Sequence, residues 1–150
     1  MKTVRGDLIK LALEGHFDVI IHGCNCYCTM GAGIAKFIKK TFPEAYKADL
    51  ETEKADRSKL GTYTSATVVR DDHEITVVNA YTQFNYRGAK PLVDYDALFE
   101  VFVSIARDFD GKRIGYPKIG AGLAGGDWDT IARLIEQAMD GQAHTLVEFE

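Results

Sequence analysis

The run from Phe17 to Lys36 constrains this chain more than any other stretch. An apolar strand pattern, Phe17 to Ile21, enters a polar loop holding Cys24, Cys26 and Cys28, and Gly31-Ala32-Gly33 then opens a helical pattern. A strand that passes through a glycine loop into a helix leaves unpaired N–H groups, and the positive end of the helix dipole, facing one point. Such a corner is an anion cradle. The loop is too short for a Walker lysine motif and lacks the G-x-G-x-x-G spacing. It therefore predicts a phosphate-containing ligand held by backbone amides, with its chemistry supplied from elsewhere.

Ile119 to Trp128 repeats the design. It follows a short strand pattern, Arg113 to Tyr116, and carries four glycines in seven residues (Gly120 to Gly126). A helix follows from near Asp127 or Trp128. Loops at the carboxyl ends of strands converge on one crevice in an α/β sheet, so the two loops predict a cleft that grips a diphosphate from both sides.

Between them the pattern alternates. Thr3-Val4-Arg5 reads as an edge strand, and Gly6-Asp7 starts a helix through Leu8, Ile9, Leu11 and Leu13. Ile34, Phe37, Ile38 and Phe42 recur at helical spacing up to Pro43, and a second helix runs from Glu44 to Leu50. The charged run Glu51 to Lys59 reads as a solvated face or loop. Gly61 to Arg70 and Glu74 to Tyr81 form a hairpin turned at Asp71-Asp72. Asp94 to Phe109 and Thr130 to Met139 are helical, and Thr145 to Phe149 is the closing strand. The order predicts a three-layer α/β/α fold around a mixed central sheet, one domain over residues 1–150.

The net charge of −4 and the absence of a basic tail argue against nonspecific nucleic-acid binding. No apolar run reaches membrane-spanning length, and Met1-Lys2-Thr3-Val4 leading straight into a strand pattern predicts no signal peptide. Three cysteines spaced C-x-C-x-C make a poor disulfide framework and fit a reducing cytoplasm. With His22 they could count as four zinc ligands, but packed thiols around a tight loop are the simpler reading. No metal is expected.

Individual side chains carry two readings each. Asp7 is an N-cap or first-turn acid. Asp127 caps the last helix or activates water at the cradle. Asn25 meets a ribose hydroxyl or braces its own loop. His22 is a satisfied histidine or a catalyst at the mouth of the loop. Trp128 supports the core or stacks on a ligand. Tyr81 to Tyr86, Gln83 included, offers aromatic and amide groups to the same cleft.

The segment His22-Gly23-Cys24-Asn25 through Gly31-Ala32-Gly33-Ile34-Ala35 resembles the distal-ribose loop of macrodomains. Its wording is closest to the ADP-ribose-1″-phosphate processing branch, which includes ADP-ribosyl-glutamate hydrolases. Arg5-Gly6-Asp7-Leu8-Ile9 resembles the family's opening Gly-Asp-Ile/Leu element, and Ile119 to Leu123 its phosphate loop. The ordered set spans nearly the whole chain.

The resemblance implies a macrodomain fold and binding of ADP-ribose without a cofactor. Asp7 would accept from the adenine amino group, with Leu8 beside it. Gly23, Cys24 and Asn25 would meet the distal ribose, and Met30, Gly31, Ala32, Gly33, Ile34 and Ala35 would wrap it. Lys118, Ile119, Gly120, Ala121, Gly122, Leu123 and Ala124 would cradle the diphosphate. The implied reaction is dephosphorylation of ADP-ribose-1″-phosphate, with Asp127 activating water and His22 orienting the phosphate or protonating the leaving oxygen. The alternatives are a non-catalytic reader and a hydrolase that removes ADP-ribose from a modified protein or nucleic acid. The expected partners are small-molecule ADP-ribose derivatives and ADP-ribosylated macromolecules, the expected state a monomer, the location cytoplasmic. One departure matters. Glutamate-deconjugating members carry a lysine after the central strand and an aspartate after the Gly-Leu of the phosphate loop; here those places hold Gln83 or Phe84, and Ala124.

Overall fold

The computed structural model describes residues 1–149. In chain order the elements are β1 (Lys2–Arg5), α1 (Leu8–Leu13), β2 (Val19–Cys24), α2 (Gly33–Thr41), α3 (Pro43–Leu50), a 3-10 turn (Arg57–Lys59), β3 (Tyr63–Arg70), β4 (His73–Tyr81), α4 (Tyr95–Asp108), β5 (Arg113–Tyr116), α5 (Trp128–Ala138) and β6 (Ala143–Glu148). The strands form one six-stranded sheet in the order β1-β6-β5-β2-β4-β3. All neighbours are parallel except β3, which pairs antiparallel with β4. The mixed sheet with helices on both faces is the expected three-layer fold.

Strand alternation builds the two interfaces. Val19 and Ile21 of β2, with Val78 and Ala80 of β4, face α4 and α5 and pack on Leu98, Phe102, Ile131 and Ile135. The intervening Ile20 and Val77 face the other way, onto Leu8, Ala12, Ile38, Phe42 and Ala45 of α1, α2, α3 and the α2–α3 joint. The central strands are buried on both faces, which explains their near-continuous apolar runs. The β3–β4 turn has Asp71 at φ 50° and Asp72 at φ 65°, the two left-handed residues of a type I′ hairpin. No helix among the described residues is long and apolar enough to cross a membrane.

Two sequence expectations fail in this fold. The charged run is not a uniformly solvated face: Lys59 is buried, with its ammonium on Thr52 Oγ1 at 2.8 Å, and the Arg57 guanidinium lies 3.8 Å over the Phe84 ring. The reason is the lysine's long apolar stem, which packs inward while its head finds a hydroxyl. Phe37, placed on the apolar stripe of α2, is instead 58% exposed; α2 buries only Ile38.

Candidate functional site

Five parallel strands end at one edge of the sheet, so the segments after β2, β4 and β5 leave from the same side. Between them lies a cleft of about 580 Å³. Its first wall is Gly23, Cys24, Asn25, Thr29 and residues 31–35; its second is Lys118, Ile119, Gly120, Gly122, Leu123 and Ala124, with Gln83 and Tyr86 between. The two glycine loops therefore meet as expected. A Cβ built on Gly33 would stand 3.5 Å from Leu123 Cδ1, so Leu123 reaches across the cleft toward the first wall.

The donors of this cleft are largely backbone. Helices α1, α4 and α5 begin with an aspartate whose carboxylate accepts first-turn N–H groups. Helix α2, which opens into the cleft, begins at Ala32 with no side-chain cap. Its first-turn N–H groups stay available for an anion. On the opposite wall Gly120 sits at φ 78°, a conformation that disfavours a side chain, and Gly126 N–H closes the loop on Gly120 O at 2.7 Å. Lys118 lies at one end, 3.5 Å from Glu148, whose carbonyl accepts from Gly6 N. The Gly6-Asp7 corner thus stands at the same sheet edge.

Several expected site residues are elsewhere. His22 points into the layer under α2 and α3, fully buried, with Nε2 2.7 Å from Asn79 Oδ1. Burial, outweighing the Asn79 bond, pushes its pKa down to about 4. Cys24 Sγ lies 3.5 Å from His22 Nε2, but burial raises its pKa well above the usual thiol value. Both shifts favour the neutral imidazole and the neutral thiol at neutral pH. His22 does not line the cleft: it lies one turn of the pleat deeper than Cys24 on the same face of β2, and its ring is held by Asn79. Asp127 does not line it either. Its carboxylate caps α5, accepting from Thr130 N at 3.1 Å and Thr130 Oγ1 at 2.6 Å, and those bonds hold its pKa below the usual carboxylate range.

Asp7 caps α1 through Ile9 N and Lys10 N, and Leu8 is in the core; neither lines the cleft. Met30 and Tyr81 are buried beneath the first wall, where Tyr81 donates to Asp49 at 2.7 Å. Ala121 lies off the lining, packed against the core on the α4–α5 side. Asn25 lines the cleft while bracing its loop, donating to Thr29 Oγ1 and accepting from Tyr27 N, both at 2.8 Å. The three thiols face three sets of partners: His22, Gln83 O, and the Asp49–Thr52–Lys59 group. Among the described residues no group of three His, Cys, Asp or Glu is placed to hold a metal. Thr29, Leu92 and Pro117 line the cleft without having been singled out. The position of Thr29 on the loop and of Pro117 just past β5 was a usable signal; Leu92 arrives through tertiary packing.

A model of the Macro domain family matches residues 21–135. An uncharacterized 17.5 kDa protein of Enterobacteria phage T4 is 34% identical over 100% of this chain and 97% of its own length. The DNA ADP-ribosyl glycohydrolase of Mycobacterium tuberculosis is 24% identical over 89% of this chain, which spans 37% of that protein. The ADP-ribose 1″-phosphate phosphatase of Candida albicans is 26% identical over 91% of this chain and 92% of its own length. Among solved structures, the macrodomain of Thermus aquaticus DarG superposes with a TM-score of 0.74 over 99% of this chain and 97% of its own, at 22% identity. With the family match covering most of the chain and the fold agreeing throughout, this protein belongs to the Macro domain family.

Proposed function

We propose that this macrodomain binds ADP-ribose in the cleft and hydrolyses a substituent at the 1″ position, with ADP-ribose 1″-phosphate as its first substrate. The observation that carries the reading is the pair of glycine walls, one headed by an uncapped helix, which presents backbone donors to a diphosphate from both sides. The distal ribose lies against Asn25, Thr29 and residues 31–35, the diphosphate along Ile119, Gly120, Gly122, Leu123 and Ala124, and the adenine toward the Gly6-Asp7 corner. The Candida phosphatase supports this choice because it aligns over nearly its whole length.

Among the described residues the cleft lining holds no carboxylate and no imidazole. Catalysis therefore rests on the substrate's own phosphate as proton carrier. Water oriented by Thr29 and Gln83 attacks phosphorus as the bond from phosphorus to the 1″ oxygen breaks. The water's proton passes through a phosphate oxygen to that leaving oxygen, and backbone donors stabilise the developing charge. The same observation favours a second reading, a binder with no turnover. Removal of ADP-ribose from DNA, as named for the mycobacterial relative, is the third. Calorimetry with ADP-ribose tests binding, and phosphate release from ADP-ribose 1″-phosphate tests the reaction. Release by wild type and by both His22→Gln and Asp127→Ala is expected. Tight binding without release establishes the reader; no binding of ADP-ribose discards the whole reading.

A further inference from the structure

Thr82 stands between β4 and Gln83, behind the cleft floor. Its backbone is engaged on both sides: the N–H donates to Cys24 O at 3.2 Å, and the carbonyl accepts from Asp94 N at 2.8 Å. The residue is fully buried. Its hydroxyl has no hydrogen-bond partner among the described residues. A buried hydroxyl left so carries a desolvation penalty that valine, its apolar isostere, avoids.

Gly23 shows where that hydroxyl points. The Gly23 backbone is not left-handed, so conformation does not demand a glycine there. Space does. A Cβ at position 23 would stand 2.9 Å from Thr82 Oγ1 and 3.0 Å from Ile119 Cγ2. Gly23 and Ile119 both line the cleft, one on each wall. The bare glycine thus lets the Thr82 hydroxyl and the Ile119 γ-methyl close against its backbone, so that the hydroxyl lies directly behind two lining residues and is sealed from the cleft by the Ile119 side chain.

We propose that Thr82 is a ligand-binding residue whose hydroxyl donates to an oxygen where the diphosphate meets the distal ribose. The ligand turns the Ile119 side chain aside and supplies the partner that the hydroxyl lacks in the empty protein. This rests on the ADP-ribose reading above. It explains a threonine at a site where the fold by itself favours valine: the hydroxyl costs stability in the empty state and returns it on binding.

The signature is a split between stability and affinity. Thr82→Val should melt at or above the wild-type temperature in the absence of ligand, yet bind ADP-ribose about tenfold more weakly by calorimetry. Thr82→Ser keeps the hydroxyl and should bind within about threefold of wild type, even though loss of its methyl lowers the melting temperature. Three results overturn the inference: Thr82→Val binding as tightly as wild type, Thr82→Val losing melting temperature and affinity together, or Thr82→Ser binding as weakly as Thr82→Val. Wild-type protein that fails to bind ADP-ribose removes the underlying reading as well. Wild-type binding with an unaffected valine variant removes this inference only.

Discussion

The two walls of the cleft read alike in sequence and are built in opposite ways. The first is fastened from behind by segments distant from it, through side chains and backbone alike. Cys28, held at φ 58°, donates its thiol to Asp49 O at 3.3 Å and meets the buried Lys59 ammonium at 3.6 Å. Ala55 N–H donates to Cys26 O at 2.7 Å, and Cys26 N–H to Phe84 O at 2.9 Å. The second wall holds itself chiefly by its own backbone: Gly125 N–H to Gly122 O at 3.0 Å, Gly126 N–H to Gly120 O at 2.7 Å, and Ala124 O receiving Leu92 N–H at 2.7 Å. Its strength depends on the absence of side chains, where the first depends on distant anchors, the Lys59 side chain and backbone groups of Asp49, Ala55 and Phe84. A glycine loop can therefore be positioned either by distant anchors or by its own close packing, and the two respond to different damage.

The sharpest test strikes the self-packed wall. A Cβ at Gly126 would stand 2.5 Å from Gly120 O and 2.5 Å from Val93 Cγ1. Gly126→Ala should cost at least ~3 kcal/mol in chemical denaturation, since backbone must move. Stability within 1 kcal/mol of wild type would show that the second wall is not close-packed.

Acid should act on the layer behind the first wall. The folded pKa of His22 lies near 4, below its ordinary 6.5. Between these values the unfolded chain takes up a proton that the folded protein refuses, so stability is present above pH 6.5 and lost as pH falls toward 4. The loss from this group is on the order of 3 kcal/mol. His144, also lowered by burial, acts with the same sign. The difference between wild type and His22→Gln isolates the His22 part, and parallel curves for the two proteins over this range would refute it.

Lys59→Ala comes next. It strips the ammonium donor from Thr52 Oγ1, which still donates to Asp49 O, and the cation from Cys28, and with the lost packing of the buried stem should cost about 2 kcal/mol. ADP-ribose affinity should fall with it, because the loop bearing Asn25 and Thr29 loosens. An unchanged melting temperature would mean that the charged segment merely rests on the loop. The smallest effect belongs to Gly31→Ala in the first wall, where a Cβ meets nothing within 4 Å and φ is not left-handed. Stability within ~0.5 kcal/mol of wild type is expected. A loss as large as that of Gly126→Ala would erase the distinction between the walls.

Much of the architecture was legible in the sequence. The Asp71-Asp72 turn, the glycine loops and the helix that ends at Pro43 are local signals, read from residues a few positions apart. The cleft was legible too, because parallel strands bring their carboxyl ends to one edge. Side-chain roles were not. His22 looked like a group at the mouth of the loop, but its ring is claimed by Asn79, 57 residues away. Lys59 looked solvated, but its head reaches Cys28, 31 residues earlier. Asp127 was legible as a cap, and the cap is what the structure supports.

The sequence by itself determined the strand–loop–helix units, their order and the two glycine loops, because periodicity, caps and glycine conformations act over single turns. Tertiary structure decided which side chains turn toward the cleft and which are spent holding it. It held the His22 ring on Asn79, fastened Cys28 to a buried lysine, and set an unpaired Thr82 hydroxyl beneath Gly23. Those outcomes depend on contacts between distant segments, which exist only once the sheet has been assembled.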